Sequence, residues 1–141
     1  MFYFWAALSG LAMAVQGSWN AVLGKAIGLL WAILLVQGTG LMTAGIILAV
    51  RHPRVPATWV APWYVYLGGP VGLLIIYLVA AAIPRLGVAF TTTTIILGQL
   101  LTAAVIDHLG LFGLAKTPFP WWKLGGVALL ALGARILLAR V

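Results

Sequence analysis

Five stretches of about twenty apolar residues, each closed by glycine, proline or a basic residue, decide what this chain can become. They cover residues 3–23, 29–50, 63–83, 88–107 and 121–139. A helix needs about 20 such residues to cross roughly 30 Å of hydrocarbon, so the pattern predicts five transmembrane helices. The breaks between them are short. They are Gly24 to Gly28, a link that opens with Arg51-His52-Pro53-Arg54-Val55-Pro56, Pro84 to Gly87, and His108 to Pro120. No soluble domain fits in any of them. Residues 1–141 are therefore expected to form a single all-α integral membrane domain.

Composition removes the alternatives. Only 6% of the residues are charged and 65% are hydrophobic, whereas soluble domains carry about a quarter charged residues. Eight Lys plus Arg against one acid give a net charge of +7. The bases stand singly or in pairs at the breaks, where they reach lipid phosphates, and form no patch or arm for nucleic acid. The expected surroundings are a lipid bilayer. The absence of cysteine excludes disulfides and thiolate chemistry. The N-terminal Met1 to Trp5 lacks a positive leader segment, so the first run is expected to be a retained helix. No metal-ligand cluster, nucleophile motif or carboxylate pair is present, and neither an enzyme nor a cofactor site is expected.

Helices one, three and five would start on the same side, marked by Phe2, Tyr3, Phe4 and Trp5, by Trp59, Trp63, Tyr64 and Tyr66, and by Trp121 and Trp122. These read as interfacial anchors. On that side lie Arg51, Arg54, Lys116 and Lys123; on the other lie Lys25, Arg85, Arg140 and the deeper Arg135. Orientation follows a Lys/Arg excess, and four against four leaves none. Insertion both ways up is the sharper reading, with one orientation set by a few residues as the plainer one. An odd helix count then lets two copies form a ten-helix assembly with inverted symmetry, as in transporters built from inverted repeats.

Gly10, Ala14, Gly17, Ala21 and Gly24 step by four and three along the first helix, a small-residue stripe suited to close helix approach. Gly68 and Gly72 form a GxxxG in the third. Beside the first stripe run Ser9, Gln16 and Asn20; helix two carries Gln37, Thr39 and Thr43, and helix four carries Thr91, Thr94, Gln99 and Thr102. Amides in hydrocarbon must be hydrogen-bonded or wet. Gln16, Asn20, Gln37 and Gln99 are the candidates to line a solute path. The threonines Thr39, Thr91, Thr94 and Thr102 line the path or bond to their own helix. Pro70 is expected to break helix three. Asp107, the only acid, with His108 beside it, is expected to cap or pair at the end of helix four; proton coupling is the alternative.

Ala14-Val15-Gln16-Gly17 with Asn20, and Gly98-Gln99 followed by Asp107-His108 and Gly110, resemble the YdcZ-like family of the drug/metabolite transporter superfamily. The likeness extends through Leu111-Phe112-Gly113 and the glycine-rich last helix. It implies a multi-pass protein of the bacterial inner membrane, half the size of ten-helix relatives. It also implies pairing in opposite orientations, with a second copy or with a paralogous five-helix protein. It supplies no substrate. The related small multidrug exporters use a glutamate in their first helix; here that helix offers Gln16. The expected function is transport of an unknown small polar solute by an antiparallel homodimer. A passive channel and a non-transporting helper protein are the alternatives.

Overall fold

The computed structural model describes residues 1–53 and 61–139. Arg54, Trp59 and Arg140, which enter the sequence arguments above, lie outside the described residues. Among those described there is no strand. The helices are α1 (Phe2–Ile27), α2 (Leu29–Arg51), α3 (Gly68–Leu86), α4 (Val88–Leu109) and α5 (Lys123–Leu138). A 3-10 segment, Trp63–Leu67, leads into α3, and a shorter one, Leu111–Gly113, follows α4.

The five helices match the five apolar runs, but their joints differ from expectation. α1 continues through Lys25 to Ile27, and Gly28 alone connects it to α2, with φ 87° and ψ 146°. That conformation is nearly closed to a residue with a Cβ. α3 likewise runs through Pro84 and Arg85 to Leu86, leaving Gly87 (φ 85°, ψ 160°) as its whole connection to α4. Pro84 withholds the N–H that would reach the carbonyl of Ala80, yet near a helix end this removes one bond without breaking the helix. Pro70 does not break α3 either. It stands in the first turn, where the backbone N–H groups have no partner inside the helix and a missing one costs little. Asp107 and His108 belong to the last turn of α4, which ends at Gly110 in the left-handed region (φ 64°).

Length and composition make three segments able to cross a membrane: Leu29–Arg51, Trp63–Leu86 and Val88–Leu109. α1, with 26 residues, is long enough at roughly 39 Å but carries Ser9, Gln16, Ser18, Asn20 and Lys25. α5, with 16 residues, reaches roughly 24 Å, short of the hydrocarbon thickness.

The chain divides into two compact units, Met1–Arg85 and Leu86–Val141. In the first, α1 and α2 form a hairpin packed tightly at its joint. Ala21, Ala32 and Ile33 are buried, and a Cβ at Gly24 would lie 2.7 Å from Leu29 Cδ2. α3 closes on α1 at Gly17, where a Cβ would meet Val79 Cγ1 at 3.0 Å and Ile83 Cδ1 at 3.3 Å. In the second unit α4 packs on α5, burying Ala134. Small residues dominate what is buried, while Leu30 (73%) and Leu129 (71%) stand open. Helices apolar all round, with large side chains outward, suit lipid rather than water.

Candidate functional site

Past its joint the α1–α2 hairpin opens into a cleft of about 1,400 Å³. α1 lines it with Ser9, Met13, Gln16, Trp19 and Asn20, and α2 with Val36, Thr39, Gly40, Thr43 and Ile47. The α2 residues step by three and four along one face, as the helical period requires. The remaining wall is aliphatic.

Its polar groups divide into two kinds. The hydroxyls are committed to their own helices: Ser9 Oγ donates to Ala6 O at 2.8 Å, Thr39 Oγ1 to Val36 O at 2.9 Å and Thr43 Oγ1 to Thr39 O at 2.8 Å. The amides are uncommitted. Gln16 is exposed, and Asn20, one turn further, is only 5% exposed. Neither makes a side-chain hydrogen bond among the described residues. No fully enclosed side-chain N or O atom there lacks a partner, so the amide is the part of Asn20 that still reaches open space. Gln16 lies near the middle of α1. The site thus holds two amides with free donors and acceptors inside an apolar wall.

Three of the expected path residues meet in this cleft: Gln16, Asn20 and Thr39. Gln37 is exposed on α2 but does not line it; at 100° per residue it falls about 20° beyond Ala44, at the edge of the lining face. Gln99 lies in the second unit, exposed on α4. Trp19 was not singled out from the sequence, although it follows Gln16 by three residues and so shares its face.

The second unit has its own cavities. One, of about 510 Å³ between α4 and α5, is lined by Phe90, Thr93, Thr94, Leu97 and Arg135 among others. Its threonines are locally satisfied, Thr93 donating to Ala89 O at 2.8 Å and Thr94 to Phe90 O at 2.9 Å. Thr91, buried, donates to Gly87 O at 2.8 Å, and Thr102 to Gly98 O at 2.9 Å. All four threonines proposed for a path therefore have a backbone partner on their own helix or its cap.

The Asp107 carboxylate makes no ion pair or hydrogen bond among the described residues. Its backbone carbonyl accepts from the Thr117 N–H at 2.8 Å, and the neighbouring ring of His108 accepts the Phe119 N–H on Nδ1 at 3.0 Å. The capping expected of Asp107 is carried by Gly110, whose N–H bonds to Ile106 O, and by His108. Lys123 Nζ sits over the rings of Phe119 and Trp122, 5.6 and 5.9 Å from their centroids, which holds its charge at the start of α5.

Of the small residues, Gly17 lies against α3, where a Cβ would stand 3.0 Å from Val79 Cγ1. At Gly10, Gly68 and Gly72 nothing among the described residues lies within 4 Å of where a Cβ would be. No group of three His, Cys, Asp or Glu able to hold a metal occurs among the described residues.

No curated protein and no solved structure matched the chain. A family model did, over residues 1–136, under the description "Putative inner membrane exporter, YdcZ". That span takes in α1 to α4, α5 up to residue 136 and the cleft with its amide pair, and the chain belongs to the YdcZ family of the drug/metabolite transporter superfamily.

Proposed function

We infer that the protein is a bacterial inner-membrane transporter that moves a small polar solute, using the α1–α2 cleft as part of its path. The observation that carries this is Asn20. The residue is 95% withdrawn from solvent, and its amide, which has no hydrogen-bond partner among the described residues, reaches open space only at the cleft; a polar group so placed in an apolar wall is costly unless water or a solute meets it. Gln16, one turn away near the middle of α1, extends the polar strip toward the depth where carriers place their sites. The family description, an exporter, agrees with this reading.

All five helices cross the bilayer in this proposal, α5 with help from the Trp121-Trp122 turn ahead of it, and two copies assemble in opposite orientations. Support comes from the balanced bases, the odd helix count and the open positions at Gly10, Gly68 and Gly72 among the described residues. Gln37 and Gln99 are assigned to the same path at positions outside the cleft.

The test is an untargeted efflux experiment. Proteoliposomes loaded with a bacterial metabolite extract are sampled over time by mass spectrometry, alongside protein-free vesicles. At least one polar solute should leave the protein-containing vesicles faster. Identical loss from both, at a protein density verified in the vesicles, would rule the transporter reading out.

A further inference from the structure

We propose that the α1–α2 cleft selects solutes without net or separated charge: uncharged molecules that offer hydrogen-bond donors and acceptors together with an apolar face. This rests on the reading of the cleft as a solute path and adds the chemical class of what it carries.

Among the described residues the lining contains no Asp, Glu, Lys, Arg or His. Lys25 is adjacent in sequence to the lining residue Ala26 and yet lines no part of the cleft. Arg51 and Arg85 stand at the ends of α2 and α3. An ion entering such a wall loses its hydration and meets no opposite charge. One or two amide bonds return only a small part of that loss. An uncharged amide or hydroxyl compound loses much less, and Asn20 and Gln16 can replace what water gave it, each offering a carbonyl acceptor and two N–H donors.

The division of labour among the polar groups favours the same class. Thr39 and Thr43 have donated their protons to backbone carbonyls, so they present lone pairs. The donors are the two amides and the Trp19 indole N–H. A solute meeting this wall must both give and accept hydrogen bonds. The Trp19 ring and Met13 supply a flat, polarisable surface for its apolar side.

Because the chain has no cysteine, a single thiol reports the cleft directly. Asn20→Cys, and separately the more exposed Gln16→Cys in case the first does not fold, are placed in lipid nanodiscs, where both membrane faces meet the reagent. Three methanethiosulfonates of similar size are compared: neutral hydroxyethyl, anionic sulfonatoethyl and cationic trimethylammonioethyl. Each rate is divided by its rate at Leu114→Cys, an exposed position in the α4–α5 connection. The neutral reagent should modify the cleft thiol, with both charged reagents at least tenfold slower after normalisation. A smaller difference for either charged reagent overturns the charge selection while leaving a water-accessible path in place. No modification by any reagent, with Leu114→Cys labelled normally, means the cleft is closed to water and removes both this inference and the path it rests on.

Discussion

The Phe119 N–H donates to His108 Nδ1 at 3.0 Å, joining the last turn of α4 to the segment that enters α5 across eleven residues of chain. Since Nδ1 accepts, the ring proton of the neutral imidazole sits on Nε2. Gly110 lets the chain turn back there: a Cβ on it would lie 3.1 Å from Lys116 Cβ and 3.3 Å from Leu114 O, and its φ is positive. His108→Ala leaves the Phe119 N–H without this acceptor and should lower stability by about 1 kcal/mol, the net worth of an ordinary hydrogen bond. Asparagine, whose carbonyl can stand near the position of Nδ1, should recover part of the loss. Thermal unfolding of the purified variants measures both.

Asp107 should behave otherwise. Its carboxylate touches no partner among the described residues, and the contact it makes to Thr117 is through the backbone, which substitution leaves in place. Asp107→Asn and Asp107→Ala should therefore both unfold at the wild-type temperature. Both should also retain most solute flux under a proton gradient. Loss of gradient-driven flux in the asparagine variant, with exchange between equal solute pools intact, would make Asp107 the coupling group.

The glycines separate packing inside one chain from packing between chains. Gly17→Val places methyl groups against Val79 and Ile83, already at contact distance, and overpacking of that kind costs about 1–3 kcal/mol. At Gly72 a Cβ meets nothing among the described residues, so Gly72→Leu should leave the monomer's unfolding unchanged. If two copies pair across that face, the same variant should shift the protein from dimer to monomer in detergent, read by light scattering.

The balanced bases make topology adjustable. Reporter fusions at the C-terminus should report both sides of the membrane. One lysine added beside Lys25 should bias the mixture several-fold toward the orientation that keeps this joint cytoplasmic, because a small Lys/Arg excess sets orientation. A C-terminus found on one side alone, in cells without a second five-helix protein, contradicts dual insertion.

The helices were legible in the sequence because bilayer thickness dictates the length of an apolar run, and all five runs are present. Their ends were less so. Lys25-Ala26-Ile27 and Pro84-Arg85 look like loop, yet both belong to helices, because a single glycine at positive φ, Gly28 or Gly87, suffices as the connection to the next helix. At the site, the spacing of four between Gln16 and Asn20 is enough to put both amides on one face. Which face of α2 opposes them depends on the rotation of that helix, and apolar residues all round give no clue to rotation. Gln37 was indistinguishable from Thr39 for that reason. Trp19 carries no such signal, because an aromatic in a membrane helix is as well suited to lipid as to a cleft.

The most direct test compares solute flux through Asn20→Leu and Gln37→Leu, both verified as folded and dimeric, using a solute identified by the efflux experiment. Leucine fills a volume similar to either amide but offers no hydrogen bond. Asn20→Leu should lower flux at least tenfold, whereas Gln37→Leu, outside the cleft, should lower it less. Normal flux through Asn20→Leu would mean that the solute does not pass the cleft and that the buried amide serves the fold alone.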